Sequence, residues 1–168
     1  MSKKHLTLQD RYTIYQMLND GSSFKKIADT INKNCTSISR EIRNHLEYKK
    51  TGAYSHAFNA CIHRKGCPQT SLCTRCTSTI KKLCTFCSRC NSVCPDFIEE
   101  KCKLLEKPPY VCNGCPDRRN CTLEKHYYNA LYAQKEYRSV LSECRSGVSY
   151  SEAEIKHIDS FVSPLIRK

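Results

Sequence analysis

Three observations predict a mostly α fold in three parts. Apolar residues recur at helical spacing within the first fifty residues. A central region then holds twelve of the fourteen cysteines and five of the six prolines, with little periodicity. Helical spacing returns from Thr122 onward. The expected architecture is an N-terminal three-helix helix-turn-helix domain over residues 1–50, a small irregular metal-stabilised cysteine-rich module over 51–121, and a C-terminal helical hairpin over 122–168.

The first helix is expected to start after Thr7, which can cap it reciprocally with Asp10 three residues on. Leu8, Tyr12, Tyr15 and Leu18 share one face, and Asp20-Gly21 ends the helix. Phe24, Ile27, Ala28 and Ile31 give a second helix at spacings of 3, 1 and 3. Asn32-Lys33-Asn34 is a turn, because Asn tolerates positive φ. Asn34 then caps a third helix with a core face of Cys35, Ile38 and Ile42. Three short helices with a tight turn between the last two predict a helix-turn-helix. Ala28 is small where the second and third helices must cross closely. The opposite side of the third helix shows Thr36, Ser37, Arg40 and Arg43. Hydroxyls and guanidinium groups suit base edges and phosphates in the major groove of double-stranded DNA. Lys25 and Lys26, near the start of the second helix, suit phosphates.

Charge supports a polyanionic partner. The chain carries a net +12. Residues 1–58 hold 10 basic and 5 acidic side chains, 59–121 hold 11 and 5, and 122–168 hold 7 and 6. The basic part is therefore the first two thirds, the pattern expected of a nucleic-acid binder. The sequence has no 18-residue apolar stretch, so no membrane span is expected. The start, MSKKHLTLQDR, has no apolar core of a secretory signal. A cytoplasmic, reducing setting follows, in which cysteines read as metal ligands before disulfides.

The twelve central cysteines are Cys61, Cys67, Cys73, Cys76, Cys84, Cys87, Cys90, Cys94, Cys102, Cys112, Cys115 and Cys121. They suffice for three four-ligand sites. Cys-x2-Cys is the zinc-knuckle spacing, two thiolates to one ion with a distant pair completing the tetrahedron. Cys102, Cys112, Cys115 and Cys121 are the most self-contained group. The other eight pair in several ways, and the sequence does not choose. CTFCSRCNSVCP (Cys84–Pro95) matches an iron–sulfur spacing, but its intervening residues are polar and one such run is incomplete. Zinc, more than one ion, is the first reading, an iron–sulfur cluster the second, and disulfides or free thiols the third. About sixty residues with few large apolar side chains need metal to fold. His63 could replace a cysteine, although a solvated histidine beside Arg64 and Lys65 is the plainer expectation. Arg64, Lys65, Arg75, Lys81, Lys82 and Arg89 are interleaved with the ligands and could add DNA contacts.

Beyond Thr122, Leu123, Tyr127, Ala130, Gln134, Tyr137, Leu141 and Cys144 alternate by 4 and 3, a heptad seam. Gly147 stops that helix, and Ser151 with Glu154 caps the next. Ile155, Ile158, Val162 and Leu165 continue a seam. The two seams predict an antiparallel hairpin or, alternatively, a self-association surface. Cys144 and Cys35 read as core residues.

The stretch LTLQDRYTIYQMLNDGSSFKKIADTINKNCTSISREIRN (Leu6–Asn44), and its TSISREI above all, resembles the N-terminal helix-turn-helix of IS30-family transposases. Lys107–Tyr137 and Asp159–Lys168 resemble the cysteine-containing branch of that family. Asn32 stands where the family often has Gly, and Cys35 where it often has Pro. The resemblance implies bacterial, nucleoid-associated recognition of insertion-sequence ends in DNA transposition. It also implies a later RNase H-like domain that cuts and joins DNA with three carboxylates and two metal ions. That domain is expected after SPLIRK, so this chain corresponds to the non-catalytic front portion, a binder that could associate with the full-length enzyme. No group among its 16 acidic residues suits two-metal chemistry, and no catalytic residue is expected. A free-standing zinc-containing transcriptional regulator of the same architecture is the alternative, and an iron–sulfur redox protein a third.

Overall fold

The computed structural model describes residues 5–73, 76, 83–147 and 150–166. Its elements run α1 (Leu8–Asn19), α2 (Phe24–Thr30), α3 (Cys35–Asn44), β1 (Leu46–Lys49), α4 (Cys90–Val93), β2 (Lys125–Tyr128), α5 (Ala130–Arg145) and α6 (Glu152–Ile166). Single 3-10 turns occur at Cys84–Phe86, Lys103–Glu106 and Pro116–Arg119. The chain divides into two compact units, Met1–Gln134 and Lys135–Lys168.

Local sequence chemistry sets the first three helices. Thr7 Oγ1 accepts from Asp10 N at 3.1 Å, and Asp10 Oδ2 accepts from Thr7 N at 2.8 Å, so the expected capping box is present. At the end of α1, Gly21 takes φ +71°. Ser22 N donates to Met17 O at 2.9 Å and Gly21 N to Leu18 O at 3.1 Å, a Schellman closure. The same closure ends α2. Asn32 has φ +50°, Lys33 N donates to Ala28 O at 2.9 Å and Asn32 N to Asp29 O at 3.3 Å. Asn34 Oδ1 accepts from Thr36 N at 3.1 Å and caps α3 as expected. Because Asn32 is the one left-handed residue of this turn, Asn32→Val should destabilise the first unit by about 1–2 kcal/mol, while Asn32→Gly should not. Thermal unfolding of both variants tests this, and equal midpoints would refute it.

The core of the first unit is Ile14, Leu18, Ile27, Ala28, Ile38 and Ile42, closed by Val111, Tyr128 and Ala133 from later in the chain. The three helices therefore share their apolar centre with downstream segments. The buried face of α1 is Arg11, Ile14 and Leu18. It is turned from the expected Leu8, Tyr12, Tyr15 and Leu18, because an arginine with an internal partner occupies the inner position. Cys35, expected in the core, is exposed, since the first residue of α3 lies beyond the apolar contact.

Two short strands were not foreseen. β1 and β2 pair antiparallel, with Leu46 opposite Tyr128 and Lys49 opposite Lys125. The heptad reading from Leu123 is thereby corrected. Lys125–Tyr128 is extended, and α5 starts only at Ala130, where Asn129 Oδ1 accepts from Leu131 N at 2.9 Å and Tyr132 N at 3.1 Å. Tyr128 is clamped by Asn113, which donates to Tyr128 O at 3.0 Å and accepts from Tyr128 N at 2.9 Å. This amide copies a strand's hydrogen bonds and ties the Cys112–Cys115 turn to β2.

In the second unit, Ser151 and Glu154 form the expected cap, with Ser151 N donating to Glu154 Oε2 at 2.8 Å and Glu154 N to Ser151 Oγ at 3.3 Å. The α6 seam does not close a hairpin: Ile155, Ile158, Val162 and Leu165 are all exposed, Leu165 by 75%. Cys144 is exposed as well, so it is no core residue. Fifteen-residue α6 has this N-terminal cap, and its seam residues are exposed among the described residues.

Candidate nucleic-acid interface

α3 has two opposed sides. Ile38 and Ile42 are fully buried, and at 3.6 residues per turn this leaves Thr36, Ser37, Arg40 and Arg43 facing solvent. Arg40 makes no hydrogen bond or ion pair with any other described residue. Arg43 is held in place. Its Nε donates to Ser39 O at 3.3 Å, and its guanidinium lies 5.4 Å from the centroid of the Tyr110 ring. Tyr110 also tilts against Phe24 of α2 at 6.0 Å. One aromatic residue from the cysteine-rich region thus braces both helices of the motif. Lys25 and Lys26 are exposed in the first turn of α2.

Glu41 would oppose a DNA-facing helix, and the structure removes it. Its side chain is only 9% exposed and bonds to Arg11 Nε at 2.7 Å. It also accepts from Tyr128 Oη at 3.1 Å, while His45 Nε2 stands 3.7 Å away. Arg11 further donates to Gln134 Oε1 at 2.6 Å and to Leu6 O at 3.0 Å. Burial, and next the Glu41 charge, push the Tyr128 phenol far above its usual range, so it stays a neutral donor. The outward side of α3 therefore carries hydroxyls and cations with no carboxylate. Sequence reasoning missed Arg11 and Tyr110, which no local periodicity marks.

The cysteine-rich region is tied to α1. Its turn at Cys112–Cys115 places Gly114 so that an added Cβ would lie 2.5 Å from Leu18 O and 3.0 Å from Gly21 N. All fourteen cysteines are free thiols. Cys112 is buried, and burial raises its pKa, with the charges of Cys115, Cys102 and Cys121 adding to the rise and the backbone of His126 opposing it. Those three neighbours are the partners expected from spacing. Cys90 is pushed up to about 11 by burial and then by the charges of Cys94, Cys67, Cys84 and Cys61. The thiols therefore gather within electrostatic reach. Among the described residues, no three His, Cys, Asp or Glu side chains already stand at ligating separation, so metal binding would have to draw them inward. Exposed His63 lies at the rim of a cavity of about 570 Å³ that Cys61, Cys67, Cys90 and Cys94 line.

Of the interleaved cations, Arg64 is engaged, pairing with Glu100 and donating to Cys61 O at 3.0 Å. Lys65 and Arg89 are exposed. Arg75, Lys81 and Lys82 lie outside the described residues.

Comparison with known families agrees with the first unit's geometry. A family model described as a helix-turn-helix domain, of a kind found in transposases, matches residues 2–45. No curated protein and no solved structure matches the chain. The N-terminal module is a helix-turn-helix domain, a kind of module that binds DNA. No described helix is long and apolar enough to cross a membrane.

Proposed function

We propose that this chain recognises specific double-stranded DNA through α3, as the DNA-binding front portion of an IS30-like transposase that engages insertion-sequence ends. The observation that carries this reading is the sidedness of α3. Arg40 and Arg43 face outward beside Thr36 and Ser37, while the helix's one carboxylate, Glu41, is paired inside with Arg11. Base-edge readout needs donors free to reach the groove, and Arg40 meets that need. Lys25 and Lys26 supply phosphate contacts that set register and carry no sequence information. The chain binds and does not cut; the chemistry belongs to a separate carboxylate-bearing domain. Zinc ions held by the cysteine-rich region stiffen the support beneath the motif, where Gly114 and Tyr110 contact it.

The test is selection of bound duplexes from a random pool, followed by binding measurements at several salt concentrations. Arg40→Ala and Arg43→Ala should each weaken binding to the selected sequence by about 1–3 kcal/mol and relax specificity at one position. Lys25→Ala and Lys26→Ala should weaken binding to all sequences alike and reduce the salt slope by about one. Equal losses on selected and scrambled DNA for the arginine variants would show that α3 is not the reader.

A further inference from the structure

We propose that the twelve central thiols form three zinc sites, the second nested within the first: Cys61 with Cys67, Cys90 and Cys94; Cys73 with Cys76, Cys84 and Cys87; and Cys102 with Cys112, Cys115 and Cys121. The partition rests on the zinc reading above. It resolves the eight cysteines whose spacing leaves several pairings open.

Two antiparallel contacts, one inside the other, decide the pairing. The outer contact joins Cys61 to Glu99. Ile62 N donates to Ile98 O at 2.9 Å, and Glu100 N to Ala60 O at 2.7 Å. Asn91 locks it by accepting from Ala60 N at 2.8 Å and donating to Phe58 O at 2.9 Å. This clamp brings the chain around Cys61 and Cys67 against the short helix α4, which starts at Cys90 and ends just before Cys94. All four of these cysteines line the cavity of about 570 Å³. Cys61 and Cys90 are buried, at 4% and 3% exposure.

The inner contact joins Thr70 to Leu83. Cys84 N donates to Gln69 O at 2.7 Å, and Leu72 N points at Cys84 Sγ at 3.4 Å. A backbone amide aimed at sulfur is the outer-shell support that a metal-bound thiolate uses. The contact closes a loop holding Cys73 and Cys76, and Cys84 and Cys87 follow directly. In each pair the second amide donates to the first carbonyl, Cys76 N to Cys73 O at 3.2 Å and Cys87 N to Cys84 O at 2.9 Å. A bond across three residues is compatible with the Cys-x2-Cys spacing of a zinc knuckle. A simple in-order partition, Cys61 to Cys76 and Cys84 to Cys94, would pull Cys61 and Cys67 away from the cavity they share with Cys90 and Cys94.

Zinc counting by native mass spectrometry on the full reduced chain tests this. The wild type should hold about three ions. The double variant Cys61→Ser/Cys94→Ser should lose one, because both residues serve the same site, and Cys61→Ser/Cys73→Ser should lose two. The reverse result, two lost and then one, would overturn the nested partition while leaving zinc binding in place. A wild-type chain that holds no zinc, or that is brown with iron and sulfide, would overturn the zinc reading itself. Should a variant fail to fold, the wild type answers alone under stepwise chelation with thiol alkylation and peptide mapping. Cys61 should then become labelled together with Cys90 and Cys94. Labelling of Cys61 together with Cys73 and Cys76, ahead of Cys90 and Cys94, would refute the proposal.

Discussion

Arg11→Met should cost the protein about 3–5 kcal/mol, the usual loss when one partner of a buried ion pair is removed. Arg11 is 1% exposed. Its guanidinium grips Glu41 with two nitrogens, at 2.7 and 3.4 Å, and also satisfies Leu6 O and Gln134. Methionine fills a similar volume and supplies no donor. Glu41 would then keep the Tyr128 hydroxyl at 3.1 Å and His45 at 3.7 Å, with its side chain only 9% exposed. The doubly apolar variant Arg11→Met/Glu41→Met should recover much of the loss, because it deletes the stranded charge together with its partner. Denaturant titration with unchanged slope would measure both. A single-variant loss under about 1 kcal/mol would mean that the pair is open to water and contributes like a surface bridge. Function should follow stability. Glu41 lies next to Arg40 on α3, so releasing it should also lower affinity for the selected DNA.

Lys125→Met should cost about 3 kcal/mol by leaving buried acceptors without a donor. Lys125 is 2% exposed, and its ammonium meets no carboxylate among the described residues. It donates to Thr51 O and Cys121 O, each at 2.7 Å, and to Gly52 O and Thr51 Oγ1, each at 3.3 Å. One side chain thus joins the chain leaving β1 to the last cysteine of the central region. Breaking it should loosen the chain around Cys121, whose carbonyl it holds. Lys50→Met is the matched control. Lys50 pairs with Glu124 at 3.7 Å on the surface, with 67% of its side chain exposed, and its loss should change stability by less than about 0.5 kcal/mol. Similar effects from the two lysines would sink the claim that the carbonyl cage around Lys125 is a structural tie.

The motif that faces DNA was legible because it is written in short-range chemistry. Thr7 with Asp10, Asn34 with Thr36, and Ser151 with Glu154 bond across two or three residues, and any helix starting there meets the same partners. Asn32 had to adopt positive φ because a turn of that length leaves no other closure for α2. Ile38 and Ile42 point inward by helical repeat alone. Cys112, one of the four thiols that spacing groups together, feels the charges of the other three, Cys115, Cys102 and Cys121.

What failed to show in the sequence was decided by contacts between distant segments. Tyr127 reads as a seam residue of a helix, yet pairing with Glu47 makes it part of a strand, since β1 offers the backbone a ladder that no local pattern announces. Arg11 carries no signal in the apolar spacing of α1, and becomes a core residue only because Glu41 and Gln134, with Tyr128 bonded to Glu41, meet it from three other elements. The α6 seam reads as a hairpin face, and its apolar residues remain exposed. The sequence by itself therefore determined the three helices, their caps, the turn at Asn32 and the outward row of Thr36, Ser37, Arg40 and Arg43. Only the tertiary structure decided that Glu41 leaves that row, that Tyr110 steadies Arg43, and that the cysteine-rich region is docked on the helices. The physical reason is range: caps and helical faces are settled within one or two turns of chain, whereas buried charges and strand pairs depend on partners that folding alone brings together.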